Sequence, residues 1–352
     1  MIPILASLAL FSLPAADPAP IIIREGLALS GAVRGGRIPF ERDPVQEALA
    51  RGTFSDPAEG EGGWATIKAG DDGVFGNLRS AYVWATVEIP EAGVYLLNAK
   101  GNSAVYVNGE VRPGDVYSYG YFPLPVNLKK GRNTLLFFAG RGTLSATLTR
   151  AEKTAQLNPA DPTLPDFLAG EGKVLLGALP VLNNTDAKLS GLTLAVTVES
   201  GRTVISKLPA IPPMTARKIG FSLAPGDGTK LSLVLRGPRG ETLDSAQLSV
   251  RTRKPSETHR KTFVSQIDGS VQYWAAFSAT KPSKGNSLAL TLHGASVEAQ
   301  GQADAYGPHE DVSLAAATNR RPYGFDWWTG AVPTPWKFSR WRRTTSRTTR
   351  RG

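Results

Sequence analysis

Apolar and polar positions alternate residue by residue along most of this chain, the period of strands and not of helices. Ala81-Tyr-Val-Trp-Ala-Thr-Val-Glu-Ile89 alternates over nine residues, Pro90-Glu-Ala-Gly93 turns, and Val94-Tyr-Leu-Leu-Asn98 begins the next run. Val105-Tyr-Val107 and Glu110-Val111 flank Asn108-Gly109, the pair that supplies the positive φ values of a type I′ hairpin turn. Gly131-Arg-Asn-Thr-Leu-Leu-Phe-Phe138 and Thr143-Leu-Ser-Ala-Thr-Leu148 close the set. Short strands at this spacing predict a sandwich or jelly roll over residues 24–150.

Residues 151–168 read as a linker, because Asn158-Pro-Ala-Asp-Pro-Thr-Leu-Pro165 holds three prolines and favours an extended spacer. A second β segment covers residues 169–253. Its strands are Leu175–Leu182, Leu192–Val198, Lys218–Leu223, Lys230–Leu235 and Gln247–Val250, separated by turns such as Asn183-Asn184 and Pro225-Gly226. This second segment resembles an immunoglobulin-like sandwich. In the first, Val105-Tyr-Val-Asn-Gly109 and Leu128-Lys-Lys-Gly-Arg-Asn-Thr-Leu135 resemble the galactose-binding-like modules of exported carbohydrate-active enzymes. That resemblance implies a sugar site in loops at one end of the sandwich, against aromatic rings. Trp64, Tyr117, Tyr119 and Tyr121 are the candidate rings for such a site. Packing within the sandwich is the favoured alternative for all four.

After the charged joint Arg251–His259, residues 260–327 change character. Lys261-Thr-Phe-Val-Ser265 and Val271-Gln-Tyr-Trp-Ala-Ala-Phe277 read as a hairpin, Leu288–Leu292 as a strand, Gly301–Tyr306 as a helix and Val312–Ala317 as a short buried strand. The stretches Leu292-His-Gly-Ala295, Gln300–Tyr306 and Thr318-Asn-Arg-Arg-Pro-Tyr-Gly-Phe-Asp-Trp327 resemble the opening of the hydrolase domain in secreted serine hydrolases of the prolyl-oligopeptidase and acetyl-xylan-esterase type. The resemblance covers about the last quarter of the chain. It implies the truncated start of an α/β-hydrolase domain, and an oxyanion loop at His293, Gly294, Ala295 and Ser296 whose backbone N–H groups face developing charge. The fold class expected is therefore mainly β, a galactose-binding-like jelly roll plus an immunoglobulin-like sandwich, followed by that α/β segment.

Composition changes this picture in three places. There is no cysteine, which excludes thiol catalysis, thiolate metal sites and disulfides. Ile4–Leu13 is an apolar run of leader length with small residues after it, so residues 1–16 are expected to be a signal peptide and the protein secreted or periplasmic. The run is too short to span a bilayer, and no membrane span is expected elsewhere. The formal charge of +10 is concentrated at the end: Lys337, Arg340, Arg342, Arg343, Arg347, Arg350 and Arg351 follow Trp328 with no acid among them, and without these seven cations the balance is +3. A nucleic-acid partner is not expected from a body with so small an excess.

Candidate chemistry is sparse. No Gly-x-Ser-x-Gly turn occurs, so no catalytic serine, acid or histidine of a hydrolase triad is assigned in this chain. His259 reads as a solvated group in the charged joint. His309-Glu310-Asp311 and Asp71-Asp72-Gly73 lack the spacing of metal sites and read as polar loops, so neither metal nor cofactor is expected. Residues 328–352 have no strand or helix period. Permitted codons for Thr329 onward, read one base over, spell a helix beginning Asp-Trp-Gly-Arg, like the one that follows Phe-Asp-Trp in the resembling hydrolases. The tail is accordingly expected to be a frameshift product. The function expected is the inactive N-terminal fragment of an exported ester- or peptide-cleaving serine hydrolase, with polysaccharide or peptide as partner. The alternative is a non-catalytic carbohydrate- or protein-binding β-module protein.

Overall fold

Two long alternations of the sequence, Ala81–Ile89 and Gly131–Ala139, pair with each other over their full length in a computed structural model that describes residues 19–31, 43–115, 118–140, 142–294 and 297–318. The chain divides into two units, one comprising the residues up to Tyr119 together with Asn127–Ala151, the other Gly120–Val126 together with the residues from Glu152.

The first unit is a jelly roll of two sheets. In chain order its elements are β1 (Ile21–Ile22), β2 (Glu25–Leu29), α1 (Pro44–Arg51), β3 (Ala65–Lys68), β4 (Val74–Leu78), β5 (Ala81–Ile89), β6 (Gly93–Lys100), β7 (Asn102–Val107), β8 (Glu110–Pro113), β9 (Leu124–Leu128), β10 (Gly131–Ala139) and β11 (Gly142–Arg150). One sheet runs β3-β2-β5-β10-β7-β8; the other runs β1-β11-β6-β9, with β4 also on β11. Ala81, Val83, Ala85, Val87 and Ile89 are all buried, as alternation along β5 demands. The β7–β8 turn has φ of +49° at Asn108 and +86° at Gly109, the left-handed pair expected of Asn-Gly.

Helix α1 departs from the all-β expectation for this region. Asp43 caps it, its Oδ1 accepting from Val45 N at 3.1 Å and Gln46 N at 3.0 Å; Pro44 occupies the first turn, and Gly52 ends it at φ +67°. The helix covers the outer face of β5, so Tyr82 and Trp84 are buried together with Val45, Trp64 and Leu136. Both faces of β5 are thus apolar at its start, where the helix lies, and alternate only toward Ile89.

The second unit continues with β12 (Ala155–Leu157), β13 (Phe167–Leu168), β14 (Leu175–Asn183), β15 (Thr193–Val198), β16 (Thr203–Lys207), β17 (Thr215–Leu223), β18 (Lys230–Arg236), β19 (Thr242–Ser249) and β20 (Thr252–Arg253). Sheets β12-β14-β17 and β16-β15-β18-β19 enclose Leu179, Val181, Val196, Phe221, Leu233 and Leu235, an immunoglobulin-like sandwich of seven strands. The stretch read as a linker contributes β12 to this sandwich, and β13 pairs in parallel with β20.

A further sheet, order β21-β22-β24-β23, is formed by β21 (His259–Val264), β22 (Val271–Phe277), β23 (Ser287–Leu292) and β24 (Val312–Ala317), with α2 (Ala299–Asp304) between the last two strands in sequence. Strand β23 is parallel to β24 and the other pairs are antiparallel. One face packs Ala275, Phe277, Leu314 and Ala316 on Ala299 and Ala303 of α2. The order of hairpin, strand, helix and strand follows the sequence pattern. The α/β-hydrolase domain does not: a single parallel pair and a helix of six residues make one βαβ crossover on an antiparallel hairpin.

Candidate functional site

The carboxyl end of β23 is where the sequence placed an oxyanion loop. His293 is 2% exposed there, and its Nδ1 lies 3.0 Å from the Gly294 carbonyl oxygen. Ala295 and Ser296 lie outside the described residues. Close by on the same strand, Thr291 Oγ1 sits 3.1 Å from the Tyr306 hydroxyl and accepts from Gln302 Nε2 at 3.0 Å. These are neutral side chains satisfying one another, with no nucleophile and base side by side among them.

Charge gathers instead around β21, β22 and the start of α2. Tyr273 donates to Glu298 Oε2 at 3.1 Å, and the Arg260 guanidinium lies 5.1 Å above the Tyr273 ring. Burial, then the Glu298 carboxylate, pushes the Tyr273 phenol above its ordinary pKa, which keeps it a donor. Asp166, 5% exposed, takes both arms of Arg251: Nε to Oδ1 at 2.8 Å and Nη2 to Oδ2 at 2.6 Å. It also accepts from Arg260 N at 2.7 Å. Arg251 reaches Gln300 Oε1 at 3.1 Å, and Gln300 in turn donates to Asp304. The cluster joins β13, the end of the sandwich, β21 and α2.

His259 belongs to this joint and is not the solvated group expected from its charged neighbours. It is 2% exposed, its Nδ1 donates to the Glu257 carbonyl at 2.8 Å, and burial lowers its pKa. A second buried carboxylate, Asp244, is held by Lys153 Nζ at 2.6 Å and by Leu157 N at 2.7 Å. His309 stacks on Phe277 at 6.3 Å and Glu310 pairs with Lys281 at 2.7 Å. Among the described residues no three His, Asp or Glu side chains are grouped to hold a metal. Asp72 Oδ1 accepts from Val74 N at 3.0 Å, a local turn.

The candidate sugar-binding rings are placed as follows. Trp64 is 8% exposed and packs with Val45, Tyr82, Trp84 and Leu136. Tyr117 lies outside the described residues. Tyr119 and Tyr121 are half-buried, and the Tyr121 carbonyl accepts from Asn158 Nδ2 at 2.7 Å. A polar chain that sequence reasoning missed runs beneath α1: Tyr106 donates to Gln46 Oε1 at 2.8 Å, Gln46 Nε2 donates to the Tyr82 hydroxyl at 3.0 Å, and Tyr82 donates to Asp43 Oδ2 at 2.7 Å. Burial first and the Asp43 carboxylate second raise the Tyr82 pKa. The signal for it was the start-and-stop pattern Asp43-Pro44 … Gly52 around Val45, Ala48 and Leu49.

No family model matches the chain, and no curated protein does. Among solved structures, a GH2 β-galacturonidase from Eisenbergiella tayi is 13% identical over 73% of this chain and 45% of its own, with a TM-score of 0.36. An exo-chitosanase from Amycolatopsis orientalis is 13% identical over 73% of this chain and 36% of its own, TM-score 0.30. A β-D-mannosidase from Dictyoglomus thermophilum is 14% identical over 78% of this chain and 40% of its own, TM-score 0.30. The chain spans less than half the length of these structures. They are glycosidases, not prolyl-oligopeptidase- or esterase-like hydrolases, and the described residues are nearly all β. The expected membership in the serine hydrolases is corrected accordingly, and with it the ester- or peptide-cleaving function and the α/β-hydrolase segment. The misleading signal was short: His-Gly after an apolar strand followed by a helix is what many βαβ crossovers carry. No helix among the described residues is long and apolar enough to cross a membrane.

Proposed function

We propose that this chain is the β-sandwich portion of a carbohydrate-active protein, glycosidase-like in organisation, which engages polysaccharide and breaks no bond with its described residues. The observation that carries this is the tandem of a jelly roll and an immunoglobulin-like sandwich, with the buried carboxylates Asp166 and Asp244 spent on structure. Glycoside hydrolysis needs two carboxyl groups facing one bond, one of them free to donate a proton. Asp166 is committed to Arg251 and to Arg260 N, and Asp244 to Lys153 and Leu157 N. Export, expected from the leader-like Ile4–Leu13, would bring the sandwiches to extracellular polymer.

Native electrophoresis through gels containing soluble xylan, glucomannan, hydroxyethylcellulose or polygalacturonate tests the proposal. Retardation by at least one polymer, with no reducing sugar released on prolonged incubation, is the expected result. Unchanged mobility in every gel would overturn it, and so would release of sugar.

A further inference from the structure

An open groove of about 500 Å³ lies in the first unit along one side of the jelly roll, lined by Ala28 and Ser30, by the β3 residues Ala65–Lys68 and by the β4 residues Gly76–Leu78. It is a product of sheet topology. Among the described residues, β3 is the edge of one sheet and β4 pairs with β11 alone, so each borders the groove as an edge strand.

Strand β4 is also bulged at this place. Leu144 of β11 faces Phe75 and Gly142 faces Leu78, so two steps along β11 are matched by three along β4. The additional residue falls at Gly76–Asn77, and Asn77 takes a left-handed φ of +60°. Bulges bend a strand and re-aim a side chain, and they concentrate at sheet edges and beside sites. Asparagine takes this left-handed conformation more readily than other side-chain-bearing residues, so the bulge can hold an amide here.

The chemistry of the lining points to one class of ligand. Exposed Ala65 and half-buried Ile67 supply a shallow apolar floor over the buried Ala28 and Leu78, suited to the C–H face of a sugar ring. Ser30, Thr66 and Asn77 supply neutral donors and acceptors, and all three are exposed. The one charge in the lining, Lys68, sits 3.2 Å from Glu25, which leaves the groove near neutrality. A peptide added as a strand would want pockets for alternate side chains, and the small residues and bare Gly63 and Gly76 provide none. We infer that the groove between β3 and β4 is a binding cleft for a neutral polysaccharide chain, with Asn77 as a hydrogen-bonding residue aimed by the bulge. This rests on the function proposed above and assigns the surface that performs it.

Two substitutions separate the groove from the fold. A Cβ at Gly76 meets no atom within 4 Å, and its φ is not left-handed, so Gly76→Trp fills the groove without straining the backbone. Asn77→Gly keeps the left-handed conformation and removes only the amide. Ile205→Ser, at a 65% exposed position on β16, serves as the control. Gels containing glucomannan, xylan or hydroxyethylcellulose are expected to retard the wild type and the control. Gly76→Trp should lose at least ten-fold in affinity and Asn77→Gly about three- to ten-fold, with circular dichroism melting curves unchanged. Wild-type retardation that both groove variants retain would overturn the groove while leaving the proposed function standing. Retardation by polygalacturonate alone, or capture of unstructured casein peptides in place of polymer, would overturn the neutral-polysaccharide assignment. A wild type that no polymer retards would overturn groove and function together.

Discussion

Asn133 shows how much one residue can organise in a sheet protein. It is fully buried, and its Nδ2 donates to the carbonyls of Lys129 at 2.7 Å and Gly131 at 2.9 Å, while Oδ1 accepts from Lys129 N at 3.1 Å and Asn108 Nδ2 at 2.9 Å. Asn108 completes the tie by accepting from Thr134 N at 2.9 Å, so the hairpin turn of β7–β8 and the turn before β10 are held by two amides. His259 is the residue whose environment changes its chemistry. Burial lowers its pKa first; Lys261 lowers it further, and the Glu257 carbonyl, Asp166 and Glu171 oppose. With the folded pKa below the unfolded value of 6.5, the unfolded chain binds the extra proton. Stability is therefore full above about pH 6.5 and falls as pH drops from there toward the lowered folded value. Urea titrations between pH 7.5 and 5 are expected to show that decline in the second unit, and His259→Gln to flatten the part of it that sets in below pH 6.5. Identical slopes for the two proteins would show that the imidazole stays accessible to protons.

Among elements, the joint around Asp166 departs furthest from the impression left by composition. Arg251-Thr-Arg-Lys-Pro-Ser-Glu-Thr-His259 has the charge of a loose connector. Yet Phe167 N donates to Arg251 O at 2.8 Å, Asp166 N to Arg260 O at 3.0 Å, and Thr262 Oγ1 to Leu176 O at 2.6 Å. The parallel β13–β20 pair is stitched by the Asp166 carboxylate to Arg251, and the same carboxylate secures the start of β21. Removing the charge while keeping the shape isolates its share. Asp166→Asn is expected to destabilise the second unit by about 1–2 kcal/mol, since the partly exposed Arg251 guanidinium loses its ionic partner and the Arg260 N–H keeps only a weaker acceptor. Denaturant unfolding monitored by tryptophan fluorescence measures this. A change under 0.5 kcal/mol would show that the bridge is replaceable by solvent.

At the scale of the whole molecule, each unit has its own core, and the second one includes the terminal sheet. Its Asp166 cluster, β14 and β21 are in contact through backbone and side-chain bonds. Trypsin needs extended, accessible chain, and here the Arg251 carbonyl accepts from Phe167 N while Arg260 N and O are both bonded to Asp166. Native limited proteolysis followed by mass spectrometry is expected to leave both bonds intact in the wild type and to cut them in Asp166→Asn. Early cleavage at either bond in the wild type would mean that this joint opens locally. The groove of the first unit and the joint of the second divide the work between surface and scaffold.

The sequence by itself determined the longer strands, such as β5, β10, β14, β18 and β22, because a period of two is a local property and survives any packing; short strands such as β3, β4, β12 and β16 left no such signal. It determined the Asn108-Gly109 turn for the same reason, and the succession from β23 through α2 to β24. What covers each face of a strand is not local. Tyr82 and Trp84 alternate with the inner residues of β5 and look like an outer face, but α1, almost forty residues earlier in the chain, makes that face a second core. His259 sits among charges in sequence and is buried in space because Asp166, over ninety residues away, gathers the backbone around it. The groove at Gly76–Asn77 exists only because β4 and β3 lie at the edges of different sheets and β4 takes one extra residue against β11. Periodicity writes the elements, whereas burial, pKa and clefts arise from contacts between segments far apart in the chain, which only the tertiary structure decides.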